Sequence, residues 1–268
     1  MGGRHLTRWE NFRCLVTGGT RGIGYAIAQQ LVDRGAQVAI VGRNEARVQR
    51  SVEDLSQSAP GHAIGVVGLI DGQESTATTL VESACRGLGG PLDGLVNCAG
   101  GATVGHALEI PWSIWQQDMA VKFWGYLAMI RAVVPELRSP GGVIVNILGV
   151  AGKDPNPRLA PGTAINGALR GLTKILADDL APGRIRVVAV NPGATDTGLL
   201  REMARGYAQL NGTTVDQAER ALRSSGPLGR LPVAQDIAHA VVFLMSEEAA
   251  LVTGTSLDID GGVHRGPA

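Results

Sequence analysis

The run Thr17-Gly18-Gly19-Thr20-Arg21-Gly22-Ile23-Gly24 has residue types and spacing suited to holding a phosphate. Three of its glycines stand in the order Gly-x3-Gly-x-Gly. It follows the apolar run 14–17 and opens a helical period over residues 22–34. Glycine lets the backbone come close to a pyrophosphate, and a helix N-terminus offers N–H groups and the positive end of its dipole. A bare glycine-rich loop says little. One set between the first strand and the first helix of an alternating pattern says more.

The pattern around it alternates. Short apolar, β-branched runs at residues 14–17, 38–41, 64–70, 92–97, 143–148 and 185–190 read as strands. Helical periods at 22–34, 45–56 and 75–86, and again before and after the fifth strand, separate them. Continuous apolar strands parted by helices imply a parallel sheet covered on both faces, a doubly wound α/β fold. We read one domain spanning residues 1–268. The stretch 195–226 interrupts the alternation late in the chain. It has helical propensity and reads as an insertion lying over the carboxyl ends of the strands, a mobile lid.

Composition narrows the function classes. Hydrophobic residues make up 44% and charged residues 18% of the 268, a globular balance. Lys plus Arg and Asp plus Glu each number 24. A zero formal charge argues against nucleic-acid and membrane-surface partners, which usually need a basic excess. Glycine numbers 38, about twice the usual share of roughly 7%. Cys14, Cys85 and Cys98 are odd in number and widely spaced, which suits a reducing compartment, with no metal site and no disulfide framework. Cys98 reads as small buried filler, with a reactive thiol as the alternative. Residues 1–11 are polar and lack the apolar stretch of a signal peptide, so the chain is expected to be soluble and cytoplasmic.

Further segments carry a resemblance. Asn97-Cys98-Ala99-Gly100 follows the fourth strand; Asn191-Pro192-Gly193 follows the sixth, with Thr195 and Thr197 after it; Leu257-Asp258-Ile259-Asp260-Gly261-Gly262 lies near the end. With the glycine spacing, and in this order over residues 12–263, the chain resembles the short-chain dehydrogenase/reductase family. The resemblance implies a seven-stranded Rossmann sheet, a nicotinamide cofactor and a homodimer or homotetramer acting on a small-molecule substrate. It implies cofactor contacts from Gly18, Thr20, Arg21, Gly22, Ile23, Gly24, Asn97, Ala99, Gly100, Asn166, Pro192, Gly193, Thr195 and Thr197. At the end of the second strand an NAD site usually has an acidic residue for the ribose 2′-hydroxyl. Here Gly42 stands there and Arg43 follows. Arg21 lies close to the same ribose by the resemblance. Two guanidinium groups and no carboxylate suit a 2′-phosphate, hence NADP(H). The adenine-contacting Asp implied after the third strand is Leu69, and Asp71 comes two residues later.

The same resemblance implies a Ser, a Tyr, a Lys and a relay Asn for carbonyl reduction. Counted back from Gly171-Leu172-Thr173-Lys174, the Tyr position holds Gly162 and the Lys position Asn166. The Ser position holds Gly149 and the Asn position Lys122. A glycine can neither donate a proton nor polarise an oxygen, and a general acid is typically worth ~10²- to 10⁴-fold. Lys and Asn are both kept with places exchanged, so Lys122 and Asn166 are the candidate catalytic residues. Three readings stay open: an oxidoreductase with relocated or unneeded acid groups, a non-catalytic protein that binds cofactor or ligand, and a non-redox enzyme such as a dehydratase or cyclase. Lys153, Asp154 and Arg158 read as solvated loop charges, with a role beside the substrate as the alternative. His106 reads as a surface or core histidine, Tyr126 as packing between helices, and Tyr207 as a residue of the lid.

Overall fold

A computed structural model describes residues 9–139, 141–224 and 226–265. Most of the polar N-terminal segment read above, residues 1–8, lies outside them, as does Ser225 in the insertion. The chain alternates as β1 (Arg13–Thr17), α1 (Gly22–Val32), β2 (Gln37–Gly42), α2 (Glu45–Ser56), β3 (Ala63–Val67), α3 (Glu74–Leu88) and β4 (Gly94–Asn97). Then come α4 (Trp112–Asp118), a π-helical turn (Met119–Trp124), α5 (Gly125–Val133), β5 (Gly142–Ile147), α6 (Ala160–Leu180) and β6 (Ile185–Pro192). The last elements are α7 (Gly198–Asn211), α8 (Val215–Arg223), α9 (Ala234–Met245) and β7 (Ser256–Ile259).

The seven strands form one parallel sheet in the order β3-β2-β1-β4-β5-β6-β7. Val16 lies level with Ile40 on one side and Val96 on the other. Successive strand residues point to opposite faces. Cys14, Val16, Val145 and Val188 pack with Ile27 and Leu31 of α1 and Ile237 and Val241 of α9. Leu15, Ile144 and Val187 pack with Leu80 of α3, Met129 and Val133 of α5 and Ala177 of α6. With both faces covered, the strands have no polar side to show, which is why they read as unbroken apolar runs.

The third strand is shorter than the apolar run 64–70 suggests. It ends at Val67, and Leu69 is half-exposed. A side chain at Gly68 would lie 2.4 Å from Leu80 Cδ2, and Ile70 turns away to pack against Gly125. Apolarity there serves loop-to-helix packing and not the ladder.

The late insertion folds as a pair of helices. α7 and α8 pack on each other through Ala204, Ala208 and Ala218. A reciprocal cap, Thr214 with Gln217, starts α8. Among the described residues no helix is long and apolar enough to cross a membrane.

One loop charge is not solvated. The side chain of Lys153, in the loop after β5, is 7% exposed and its Nζ donates to Asp258 Oδ2 of β7 at 2.7 Å. Asn191 Nδ2 of β6 donates to the other carboxylate oxygen at 2.7 Å. Burial pushes the Asp258 carboxyl up, but the bonds from Lys153 and Asn191 outweigh it and hold it below the usual range. This corrects the reading of Lys153 as a surface charge: the pair fixes the β5 loop on the far sheet edge. Lys153→Ala leaves Asp258 half-compensated and should cost about 3 kcal/mol in urea unfolding at pH 7. The gap should narrow as pH falls through the carboxylate's native range, because protonation removes the depressed group's contribution in the parent too. An unchanged midpoint at pH 7 would contradict the assignment.

Candidate functional site

The sheet order reverses its direction of growth between β1 and β4, so the loops leaving these neighbours diverge and open a crevice. The two loop starts are nevertheless tied. Thr17 Oγ1 accepts the N–H groups of Cys98 and Ala99 at 2.9 and 3.2 Å. Gly18 has φ +66°, and a Cβ on it would sit 3.0 Å from Ala99 Cα. Gly24 is equally constrained: its Cβ would lie 2.4 Å from the Gly18 carbonyl oxygen. The loop therefore folds flat onto the first turn of α1. That turn has no side-chain cap from Arg21 and no acidic residue, so its N–H groups are open to an anion. The cradle fits a dinucleotide pyrophosphate.

The residues at the ribose end of the cradle are also readable. A side chain at Gly42 would strike Thr20 Cγ2 at 2.5 Å and Val48 Cγ2 at 2.9 Å, so the end of β2 has no room for a side chain there. Arg43 is exposed beside it. Arg21 does not point to a free surface: its Nη1 donates to Glu202 Oε1 of α7 at 2.9 Å, with both side chains about half-exposed. Thr197, which precedes α7, lies 3.7 Å from a Cβ placed on Gly22. Thr195 Oγ1 donates to the Gly193 carbonyl at 3.0 Å, at the end of β6 beyond Pro192. The glycine loop, the β6 end and α7 thus meet along one rim. Asp71 is used otherwise: it accepts from Gln73 N–H and Thr76 Oγ1 ahead of α3.

The Asn97 side chain is taken up inside the fold. It is fully buried, and Nδ2 donates to Asn146 Oδ1 at 3.1 Å. Asn146 in turn donates to Thr173 Oγ1 of α6 at 3.2 Å. This chain of amides locks β4, β5 and α6 together under the site. Asn146 was not among the sequence candidates; an asparagine inside an otherwise apolar strand was the available signal.

Lys122 and Asn166 do converge. Lys122 lies in the π-helical turn between α4 and α5, and its Nζ donates to the Leu148 carbonyl at 2.9 Å, just before Gly149. Its stem passes the backbone of Gly100, 3.4 Å from where a Cβ would stand. Burial lowers its ammonium to about 8, with Cys98 and Asp118 opposing the shift. Asn166 of α6 is buried, and its Nδ2 lies 2.9 Å from a Cβ placed on Gly149. Its Oδ1 is buried without a hydrogen-bond partner. A buried acceptor without a donor costs ~1–3 kcal/mol, which a ligand hydroxyl would relieve. Around Gly162, nothing lies within 4 Å of an added Cβ. Burial pushes the Cys98 thiol up to about 12, so it behaves as filler. Tyr126 is buried and its hydroxyl donates to the Ile147 carbonyl at 3.0 Å, a packing role. His106 is exposed. Among the described residues no cluster of His, Cys, Asp or Glu could hold a metal ion.

A parallel sheet with a glycine cradle and an open helix N-terminus at its switch point defines a dinucleotide-binding Rossmann domain. Comparison with known proteins narrows this. A sequence profile described as Enoyl-(Acyl carrier protein) reductase matches residues 18–264. The 2-(S)-hydroxypropyl-CoM dehydrogenase 3 of Xanthobacter autotrophicus is 35% identical over 96% of this chain and 98% of its own. The 3-ketoacyl-(acyl-carrier-protein) reductase of Brucella melitensis, solved with NADH, is 31% identical, covers 95% of this chain and 98% of its own, and superposes with a TM-score of 0.82. A short chain oxidoreductase of Pseudomonas aeruginosa PAO1, solved with NADPH and described as containing an atypical catalytic center, is 28% identical over 96% of this chain and 98% of its own, with a TM-score of 0.84. The chain belongs to the short-chain dehydrogenase/reductase family of oxidoreductases.

Gly24→Ala forces the Gly18 carbonyl to move and should weaken dinucleotide binding by at least about tenfold, read by quenching of tryptophan fluorescence, while the far-UV spectrum is kept. Undiminished binding would contradict the cradle.

Proposed function

We propose that the protein is an NADP(H)-dependent oxidoreductase that acts on a small organic molecule without the Ser-Tyr-Lys set. The observation that carries the reading is that Lys122 Nζ reaches the Leu148 carbonyl just before Gly149, against which the buried Asn166 amide also packs. Bound NADP(H) would supply or accept the hydride. The cradle formed by Gly18, Gly22 and Gly24, closed by Thr20 and Ile23, would hold its pyrophosphate, and Ala99, Gly100, Pro192, Gly193, Thr195 and Thr197 would line its nicotinamide half. Asn166 Oδ1 would accept a ribose hydroxyl. Lys122, whose ammonium burial lowers to about 8, would donate a hydrogen bond or a proton into the space left by Gly149. Reduction of an iminium or an activated double bond needs little more acid help than this. The relative from Pseudomonas aeruginosa supports the reading, because its description pairs NADPH with an atypical centre on the same fold.

A second reading is a cofactor- or ligand-binding protein without turnover. The absence of a hydroxyl at Gly149 and Gly162 favours it. Cofactor oxidation under a panel of iminium, enone and ketone substrates separates the two, and product formed without cofactor turnover would mark a non-redox enzyme. We also propose self-association through α6, where Ala164, Ala168, Gly171 and Ile175 stay exposed on one helix.

Two outcomes test the first reading. NADPH should bind at least about tenfold tighter than NADH, and Arg43→Ala should erase most of that margin, as expected for a charged hydrogen bond to a 2′-phosphate. Equal affinities in the parent protein would refute it. In the reductive direction kcat/KM should fall as pH rises through about 8, where Lys122 loses its proton. Lys122→Gln should lower the rate and remove that limb. A pH limb unchanged in the variant would assign the acid elsewhere.

A further inference from the structure

Arg158 is the loop charge that the reading above leaves unused. It lies in the loop between β5 and α6, four residues ahead of Gly162, and is half-buried. Its Nη1 donates to Asn211 Oδ1, near the C-terminal end of α7. No Asp or Glu pairs with it among the described residues, whereas two arginines of the neighbouring helices are paired: Arg201 with Asp216 and Glu219, and Arg223 with Asp196 and Glu219.

Its surroundings are neutral donors and acceptors held in place. Asn156 Oδ1 accepts the Arg158 N–H at 2.9 Å, and Asn156 Nδ2 donates to the Tyr207 hydroxyl at 3.3 Å. Thr163 Oγ1 donates to the Asn156 carbonyl at 3.3 Å, so the loop is pinned to α6 one residue past Gly162. The Arg158 carbonyl accepts from Gly105 N–H at 2.9 Å, which fixes the other wall. The Tyr207 hydroxyl is pushed up by burial, while the bond from Asn156 and the Arg158 charge oppose the shift. A guanidinium held between lid and loop, with neutral partners only, keeps donors for a planar anion.

We propose that Arg158, with Tyr207 and Asn156 positioned around it, binds a carboxylate carried by the substrate at the end away from the reacting carbon. This rests on the reading that the space beside Gly149 and Gly162 is the substrate site. It makes the substrate an acid and makes α7 a closure that engages its charge.

The test uses the full chain saturated with NADPH and the matched probes 4-oxocyclohexanecarboxylate and 4-oxocyclohexanecarboxamide, with affinities from ligand-observed NMR. The carboxylate should bind at least about tenfold tighter than the amide. Arg158→Gln should bring the two within about twofold, and Arg158→Lys should restore part of the gap. Asn211→Ala removes the tether but not the guanidinium, so the preference should survive in it. No preference in the parent protein, or a preference unchanged in Arg158→Gln, overturns the proposal. So does its loss in Asn211→Ala, which would make Arg158 a lid tether only. NADPH affinity should be the same in all four proteins. An Arg158-dependent preference with no cofactor oxidation on any substrate would sink the oxidoreductase reading and leave this one standing.

Discussion

The site depends on one close approach: Gly18 against Ala99, with the Thr17 hydroxyl accepting both N–H groups at the start of the β4 loop. At that point two adjacent parallel strands send their connections in opposite directions, which by itself opens a gap. The hydroxyl and the missing Cβ keep the gap narrow at its floor. A side chain at 18 or 24 would lift the loop from the helix and separate the α1 N-terminus from the β4 loop. Everything placed on that floor, the pyrophosphate cradle on one side and Gly100 with the Lys122 stem on the other, takes its position from this contact.

Above the floor, the proposed chemistry turns on where a lysine and an asparagine stand. The π-helical turn widens the α4–α5 helix at Lys122, and such turns often mark functional positions. It carries the ammonium to a backbone carbonyl that precedes Gly149, where burial makes it a weaker base than a surface lysine. Asn166 brings an orphaned acceptor to the same place from α6. The amide chain Asn97–Asn146–Thr173 beneath them ties the three elements that carry the site.

Much of this was legible in the residues. The alternation of apolar runs and helical periods led to a parallel sheet, and the bounds read for α2, residues 45–56, agree at both ends. The run 64–70 misled, since apolarity alone does not tell a ladder residue from one packing a loop on a helix. The π turn has no sequence signal: its residues read as ordinary helix. Lys153 read as a surface charge because its partner Asp258 lies on the last strand, far away in sequence, and such pairing is invisible without the fold. The link between Arg21 and Glu202 was hidden for the same reason. The unpartnered Asn166 oxygen has no sequence signal and needed coordinates.

The most direct test of the central claim is a crystal structure of the complex with NADPH, refined with the positions of Lys122 Nζ and Asn166 Oδ1 as the readout. The account predicts Asn166 Oδ1 within about 3.2 Å of a nicotinamide ribose hydroxyl. It also predicts the Lys122 ammonium facing the space between Gly149 and the nicotinamide. A complex in which the Asn166 oxygen still lacks a partner and Lys122 has turned to solvent would contradict it.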